Sequence, residues 1–181
     1  MSSSDVAFRL EEAILDYAKT YPAEFHFVNQ FGKLLAHSDA YKRTHQPGHF
    51  TGSAFIVSED FLQTLLVHHR KLNRWLQPGG HADGDTDLLA VAMREAQEET
   101  GLARLSVINP AIYDIDIHPI PIRKDFPAHD HYDVRFLLQA SVDDVITVSE
   151  ESHDVKWISL NDLERYTAGE SVLRLRKKIP R

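Results

Sequence analysis

The segment from Leu88 to Thr100 constrains this chain more than any other. At ~3.6 residues per turn, Leu88, Leu89, Ala92, Met93 and Ala96 crowd one side of a helix, while Glu95, Glu98 and Glu99 fall within an arc of roughly 100° beside them. Asp85-Thr86-Asp87 offers a cap at the start, and Gly101 suits the left-handed residue that ends a helix. One side must therefore pack, and the other collects carboxylates. Like charges at i, i+3 and i+4 near a helix C-terminus cost a few tenths of a kcal/mol per pair, and the helix dipole adds to that. Arg94, four residues before Glu98, can pair with it, yet one arginine does not neutralise three carboxylates. A solvated acidic face is the bland reading. Clustered hard oxygen ligands otherwise suit Mg²⁺ or Mn²⁺.

Around this helix the patterning alternates between strand and helix. Val6, Leu10, Ala13, Ile14 and Tyr17 recur at helical spacing, so Asp5 to Tyr21 is expected to be an amphipathic helix capped by Ser4 and stopped by Pro22. His37-Ser38-Asp39 is a candidate cap for a short second helix. Thr51 to Ser58 and Gln63 to His69 read as a hairpin, Leu72 to Leu76 as a short strand, and Gln77-Pro78-Gly79-Gly80 as a turn. Beyond the acidic helix come a strand around Leu105 to Ile117, a Pro- and His-rich loop from His118 to His131, and a half-buried strand from Tyr132 to Ala140. A last strand, Asp154 to Ile158, leads into a helix begun by Ser159 or Asn161, and Arg174 to Lys178 is expected to form an exposed helix end. Trp75, Tyr132 and Trp157 are read as core or edge aromatics. Interleaving of this kind predicts an α/β or α+β sandwich.

At 181 residues, 43% of them hydrophobic, the chain suits one compact domain with a terminal elaboration. No apolar run is long enough to cross a bilayer, so no membrane partner is expected; the first residues lack the pattern of a secretory signal, so a cytoplasmic location is the expectation. The absence of cysteine excludes disulfides, thiolate metal sites and a cysteine nucleophile. A net charge of -7 argues against a nucleic-acid partner, so a phosphate-bearing substrate would need a divalent cation to attract it.

The stretch from Gly80 to Leu102 resembles the Nudix box, Gly-x5-Glu-x7-Arg-Glu-U-x-Glu-Glu-x-Gly-U with U apolar: Gly80 opens it, and Arg94-Glu95-Ala96-Gln97-Glu98-Glu99-Thr100-Gly101-Leu102 completes it without a gap. Arg74-Trp75-Leu76-Gln77-Pro78-Gly79 is similar to the family's approach to the box, and a weaker similarity runs from about Phe50 to Leu163. The departure is Thr86, which stands where the family's first glutamate is expected. The resemblance implies a Nudix-type α/β/α sandwich around a mixed β-sheet, with residues 1–48 as an N-terminal helical extension and residues 49–181 as the hydrolase domain. It also implies a magnesium-dependent enzyme, with Mn²⁺ as the alternative ion, that cleaves a diphosphate linkage in a nucleoside diphosphate derivative or a nucleoside triphosphate.

By that resemblance Glu95, Glu98, Glu99 and the Gly80 backbone hold metal, Arg94 orients the glutamates, and Glu151, with Asp154 as the other candidate, supplies the general base. Arg70, Arg74, His81 and His131 are candidate substrate contacts, against a solvated hairpin end for the arginines and a loop-holding role for His81. His118, His129 and His131 bracket one loop, and His45 and His49 precede the first strand, which raises a second metal site against the commoner reading of surface or substrate-loop histidines. Two rival functions are a catalytically silent Nudix-like nucleotide sensor and an enzyme like isopentenyl-diphosphate isomerase. Retention of the three glutamates opposes the sensor, and the lack of cysteine opposes the isomerase. The residues before Phe50 offer a surface for a homodimer or a lid.

Overall fold

The computed structural model describes residues 9–122 and 126–180. The elements are α1 (Leu10–Thr20), α2 (Phe25–Leu35), β1 (Gly48–Ser58), β2 (Gln63–His69), β3 (Arg74–Leu76), β4 (Gly79–His81), α3 (Leu88–Thr100), β5 (Ser106–Val107), β6 (Asp114–Ile120), β7 (His129–Ala140), β8 (Ser152–Ser159) and α4 (Glu170–Lys177), with 3₁₀ turns at Pro22–Glu24 and Leu160–Arg165. The strands form one mixed sheet in the order β3-β2-β1-β7-β5; β4 pairs with β1, β6 with β7 and β8 with β2. The β1–β7 pairing is parallel and runs without a break from Gly48↔Asp130 to Ser58↔Ala140. Among the described residues no helix is long and apolar enough to cross a membrane.

Every residue of β1 is buried, because both of its faces are covered. Phe50, Ala54 and Ile56 of β1, with Val134, Phe136 and Leu138 of β7, face the main core, which α3 closes with Leu88, Val91, Ala92 and Ala96 and the N-terminal helices close with Leu10, Ile14, Phe31 and Leu34. The opposite face changes character along its length. Phe55, Val57 and Leu137 pack there with Tyr113 and with Leu175 of α4. Further along, side chains at period two are polar, and register sets them in rows across three strands: Ser53–Arg135–Asp114, Thr51–Asp133–Asp116 and His49–His131–His118.

Arg135 is the hub of this buried polar face. Its side chain, 1% exposed, bonds Asp133 at 2.8 Å, Asp114 at 3.0 Å and Asp116 at 2.9 Å, and also the Ser171 carbonyl of α4 at 2.7 Å. Arg174 and Lys178 approach Asp114 at 2.8 and 2.5 Å, and Lys178 donates to Tyr17 of α1 at 2.6 Å. The expected exposed helix end is thus corrected: Arg174 and Lys178 face inward because three buried aspartates need more positive charge than Arg135 provides.

Other expectations shift for local reasons. The first helix begins at Leu10 with Arg9 at its N-cap and no side-chain cap bond, while Ser4 and Asp5 to Phe8 lie outside the described residues. The second helix precedes His37-Ser38-Asp39 rather than following it. Gly79 and Gly80, expected in a turn, pair with Ser53 and Gly52 as a strand. The strand expected over Leu105 to Ile117 is split, since Pro110 lacks an N–H and the Asn109 side chain accepts from Ala111 N at 2.9 Å, which turns the chain between β5 and β6. The His-rich loop shrinks to residues 121–128, of which 123–125 are outside the described residues, and His118, His129 and His131 sit in strands. The hairpin, the strand from Tyr132 and the strand across Asp154 to Ile158 are as expected.

Replacing Arg135 by methionine leaves three buried carboxylates short of their principal cation, and the expected cost is about 3–5 kcal/mol, read as a fall in melting temperature of roughly 10 °C. Burial pushes the Asp116 carboxyl up, but His118, Arg135, Ser171 and Arg174 together outweigh it and hold the group well below its usual 3.8. A depressed carboxylate stabilises the fold above its unfolded pKa and loses that contribution as pH falls through the folded value. Melting temperature measured against pH is therefore expected to fall below about pH 4, and an Asp116→Asn protein is expected to melt lower at pH 7 and to show a shallower acid decline.

Candidate active site

Helix α3 carries the acidic side chains as its sequence dictates. Asp87 caps it, accepting from Ala90 N at 3.0 Å, and Asp85 accepts from Asp87 N at 2.9 Å. Thr86 between them is exposed, so the capping falls to Asp87. At the other end Gly101 adopts φ 72°, and an added Cβ would strike Thr147, whose N–H closes on the Thr100 carbonyl at 2.8 Å. Between these fixed ends the apolar side of α3 lies on β1, and Glu95, Glu98 and Glu99 project from its margin.

Glu95 is half-buried against β4: a Cβ on Gly80 would fall 2.3 Å from its Oε2, so only glycine lets the strand approach this carboxylate. Arg94 donates from Nη2 to Glu95 Oε1 at 3.0 Å and to the His81 carbonyl at 3.3 Å. Its ion pair is therefore with Glu95 rather than with the Glu98 partner that spacing suggests, and it ties the carboxylate to β4. Glu99 accepts from the Gly79 backbone, but burial, then the charges of Glu95, Glu151 and Glu98, push its carboxyl up to about 8. Burial likewise raises Glu95 against the opposing pull of Arg94. Glu98 is exposed.

Glu151, remote in sequence, belongs to this charge cluster: its field acts on Glu99 and on Arg43. Its loop is held by Arg70, whose backbone N–H donates to the Glu151 carbonyl at 2.9 Å and whose guanidinium donates to the Ser152 carbonyl at 3.0 Å. Arg70 thus clamps the loop that presents Glu151. Asp154, the other base candidate, pairs with Lys156 at 2.5 Å. Arg74 stands exposed on edge strand β3 opposite His69. His81 and His131 are half-buried in a group of imidazoles, their ring centroids 5.0 Å apart. Burial first, then neighbouring cations and imidazoles, lowers His81 to about 4 and His131 to about 2, so both rings are neutral.

Sequence reasoning missed Arg43. It forms an ion pair with Asp83 of the box loop, half-exposed, in the field of both Glu95 and Glu151. The irregular turns that carry it have no periodicity to single it out. Glu99, in the electrostatic field of Glu95, Glu98 and Glu151, with Arg94 paired to Glu95 and Arg43 nearby, belongs to a group of hard-oxygen donors with excess negative charge. Mg²⁺ or Mn²⁺ fits such a set better than a nitrogen-preferring metal does.

The NUDIX domain family matches residues 49–177. A NUDIX-family hydrolase from Clostridium perfringens is 27% identical, with a TM-score of 0.55 over 72% of this chain and 94% of that one. An Ap4A hydrolase of C. elegans, 19% identical, gives a TM-score of 0.57 over 71% of this chain and 93% of its own, and the dihydroneopterin triphosphate pyrophosphohydrolase of E. coli, 15% identical, gives 0.53 over 72% and 93%. At those lower identities the likeness is one of fold. No curated protein matches by sequence. With the box complete but for Thr86 and the family's domain matched across most of the sequence, the chain belongs to the NUDIX family of hydrolases.

Proposed function

We propose that the protein is a magnesium-dependent pyrophosphohydrolase that cleaves a diphosphate linkage in a nucleoside diphosphate derivative or a nucleoside triphosphate. The observation that carries this reading is the convergence of Glu95, Glu98 and Glu99 with the distant Glu151, a charge arrangement that a folded chain retains at a cost and that a divalent cation relieves. Two structural neighbours, an Ap4A hydrolase and a dihydroneopterin triphosphate pyrophosphohydrolase, are named for substrates of that class.

Glu95, Glu98 and Glu99 would hold Mg²⁺ or Mn²⁺, which when bound would supply positive charge to attract a diphosphate and shield its oxygens. The chain's own groups set the stage for that attack. Arg94 fixes Glu95 against Gly80 so that its carboxylate does not swing into solvent. Glu151, exposed on a loop clamped by Arg70, accepts the proton of the attacking water at its carboxylate. Arg43 offers a guanidinium at the rim for a phosphate oxygen.

A panel of diphosphate compounds incubated with Mg²⁺, with the products identified, tests the reading; tight binding of a nucleotide with no cleavage of any compound would overturn it in favour of a binding module. Glu99→Gln is expected to lose activity by about 100-fold or more while the metal-free variant melts at the same temperature as its parent or higher, since a repelled charge has been removed. Mg²⁺ is expected to raise the melting temperature of the parent and not of the variant. Glu151→Gln is expected to lower kcat by about 10²–10⁴-fold with little change in KM; unchanged turnover removes Glu151 from the mechanism.

A further inference from the structure

Beside the carboxylates lies a second group of ligating side chains that the hydrolytic reading does not use. His49 is the second residue of β1 and His131 lies opposite it on β7, with His129 two residues earlier on the same face. Their ring centroids are 4.9 to 5.2 Å apart, and one nitrogen of each lies within 4.8 Å of the others. His49 is fully buried and His129 is 8% exposed. We propose that His49, His129 and His131 form an imidazole-only site for a divalent cation of the zinc class, separate from the magnesium site on α3.

The orientation of the rings supports this. His129 Nδ1 lies 2.8 Å from the Pro127 carbonyl and His49 Nδ1 lies 3.4 Å from the His45 carbonyl. A carbonyl only accepts, so Nδ1 carries the hydrogen in both rings and the lone pair of each neutral imidazole sits on Nε2. Metal-bound histidines are held in this way, with the far nitrogen donating to a backbone oxygen and fixing the tautomer. His49 Nε2 and His131 Nε2 have no hydrogen-bond partner among the described residues, although both are shut off from solvent. A buried polar atom left unsatisfied costs about 1–3 kcal/mol, and two of them within one cluster of close-set imidazoles mark a place where a ligand belongs.

The donor set selects the ion. Three neutral nitrogens with no carboxylate suit Zn²⁺, Co²⁺, Ni²⁺ or Cu²⁺ and not Mg²⁺. With metal–nitrogen bonds of about 2.0–2.1 Å a tetrahedral site needs its donors about 3.3 Å apart, and the three ligand atoms already lie within 4.8 Å of one another. Three protein ligands leave a fourth position for water. The two sites adjoin: the His81 ring is 5.1 Å from that of His49, and the preceding residue, Gly80, packs on Glu95.

The test uses the full chain without an affinity tag, stripped with a chelator and titrated with Co²⁺ and then Zn²⁺. The expected result is one equivalent of Co²⁺ with the visible absorption of a tetrahedral complex, displaced by Zn²⁺ and not by Mg²⁺. That absorption is expected to persist in a Glu98→Gln, Glu99→Gln protein and to vanish in His131→Gln and in His129→Gln, with Co²⁺ affinity at least 100-fold weaker. Circular dichroism of the chelated proteins identifies any variant that fails to fold, and the other histidine variant then decides. The proposal is overturned if the parent gives no tetrahedral absorption, or if the absorption is lost with the glutamates and survives in a folded histidine variant.

Discussion

The unbroken parallel pairing of β1 with β7 is the constraint on which the rest of the molecule depends. Because side chains alternate at period two, a slip of β7 by one residue would exchange its faces: Val134 and Phe136 would leave the core, and Asp133 and Arg135 would enter it. Two unlike demands fix the same register. The apolar side must meet α3, and on the other side Arg135 must reach three aspartates drawn from two strands. The desolvation penalty of these charges makes any other alignment costly, so the polar face contributes specificity as well as its modest share of stability. Both candidate sites hang from this frame, since β1 holds β4 against Glu95 and also places His49 beside His131.

What the sequence disclosed follows from how local each signal is. The acidic helix, its Asp87 cap and its Gly101 stop lie within fifteen residues, so the periodicity and the box motif delivered α3 and the glutamates along its margin together. The alternation of Val134, Phe136 and Leu138 likewise marked the core face of β7. The same alternation misled about the other face, where Asp133 and Arg135 look like a solvent side until α4 is seen to cover them.

Long-range pairings were beyond reach. Glu151 entered through the family resemblance, but its place in the field of Glu99 depends on the β2–β8 pairing and the Arg70 clamp. Arg43 sits in turns with no periodic pattern, and only the fold shows that it meets Asp83. The histidines were noticed as two separate groups. His49 and His131 are eighty-two positions apart, and no spacing rule links them until the strands are aligned.

The meeting of Tyr17, Asp114 and Lys178 also has a bearing on how the molecule opens. An N-terminal helix and the last turn of the chain, 161 positions apart, hold one buried carboxylate between them. If either terminal segment peels away, the aspartate loses part of its surroundings and the opposite segment loses its anchor. Fraying at the two ends is thereby coupled into a single cooperative event, so amide hydrogens in α1 and α4 should exchange in step although no covalent segment joins them directly.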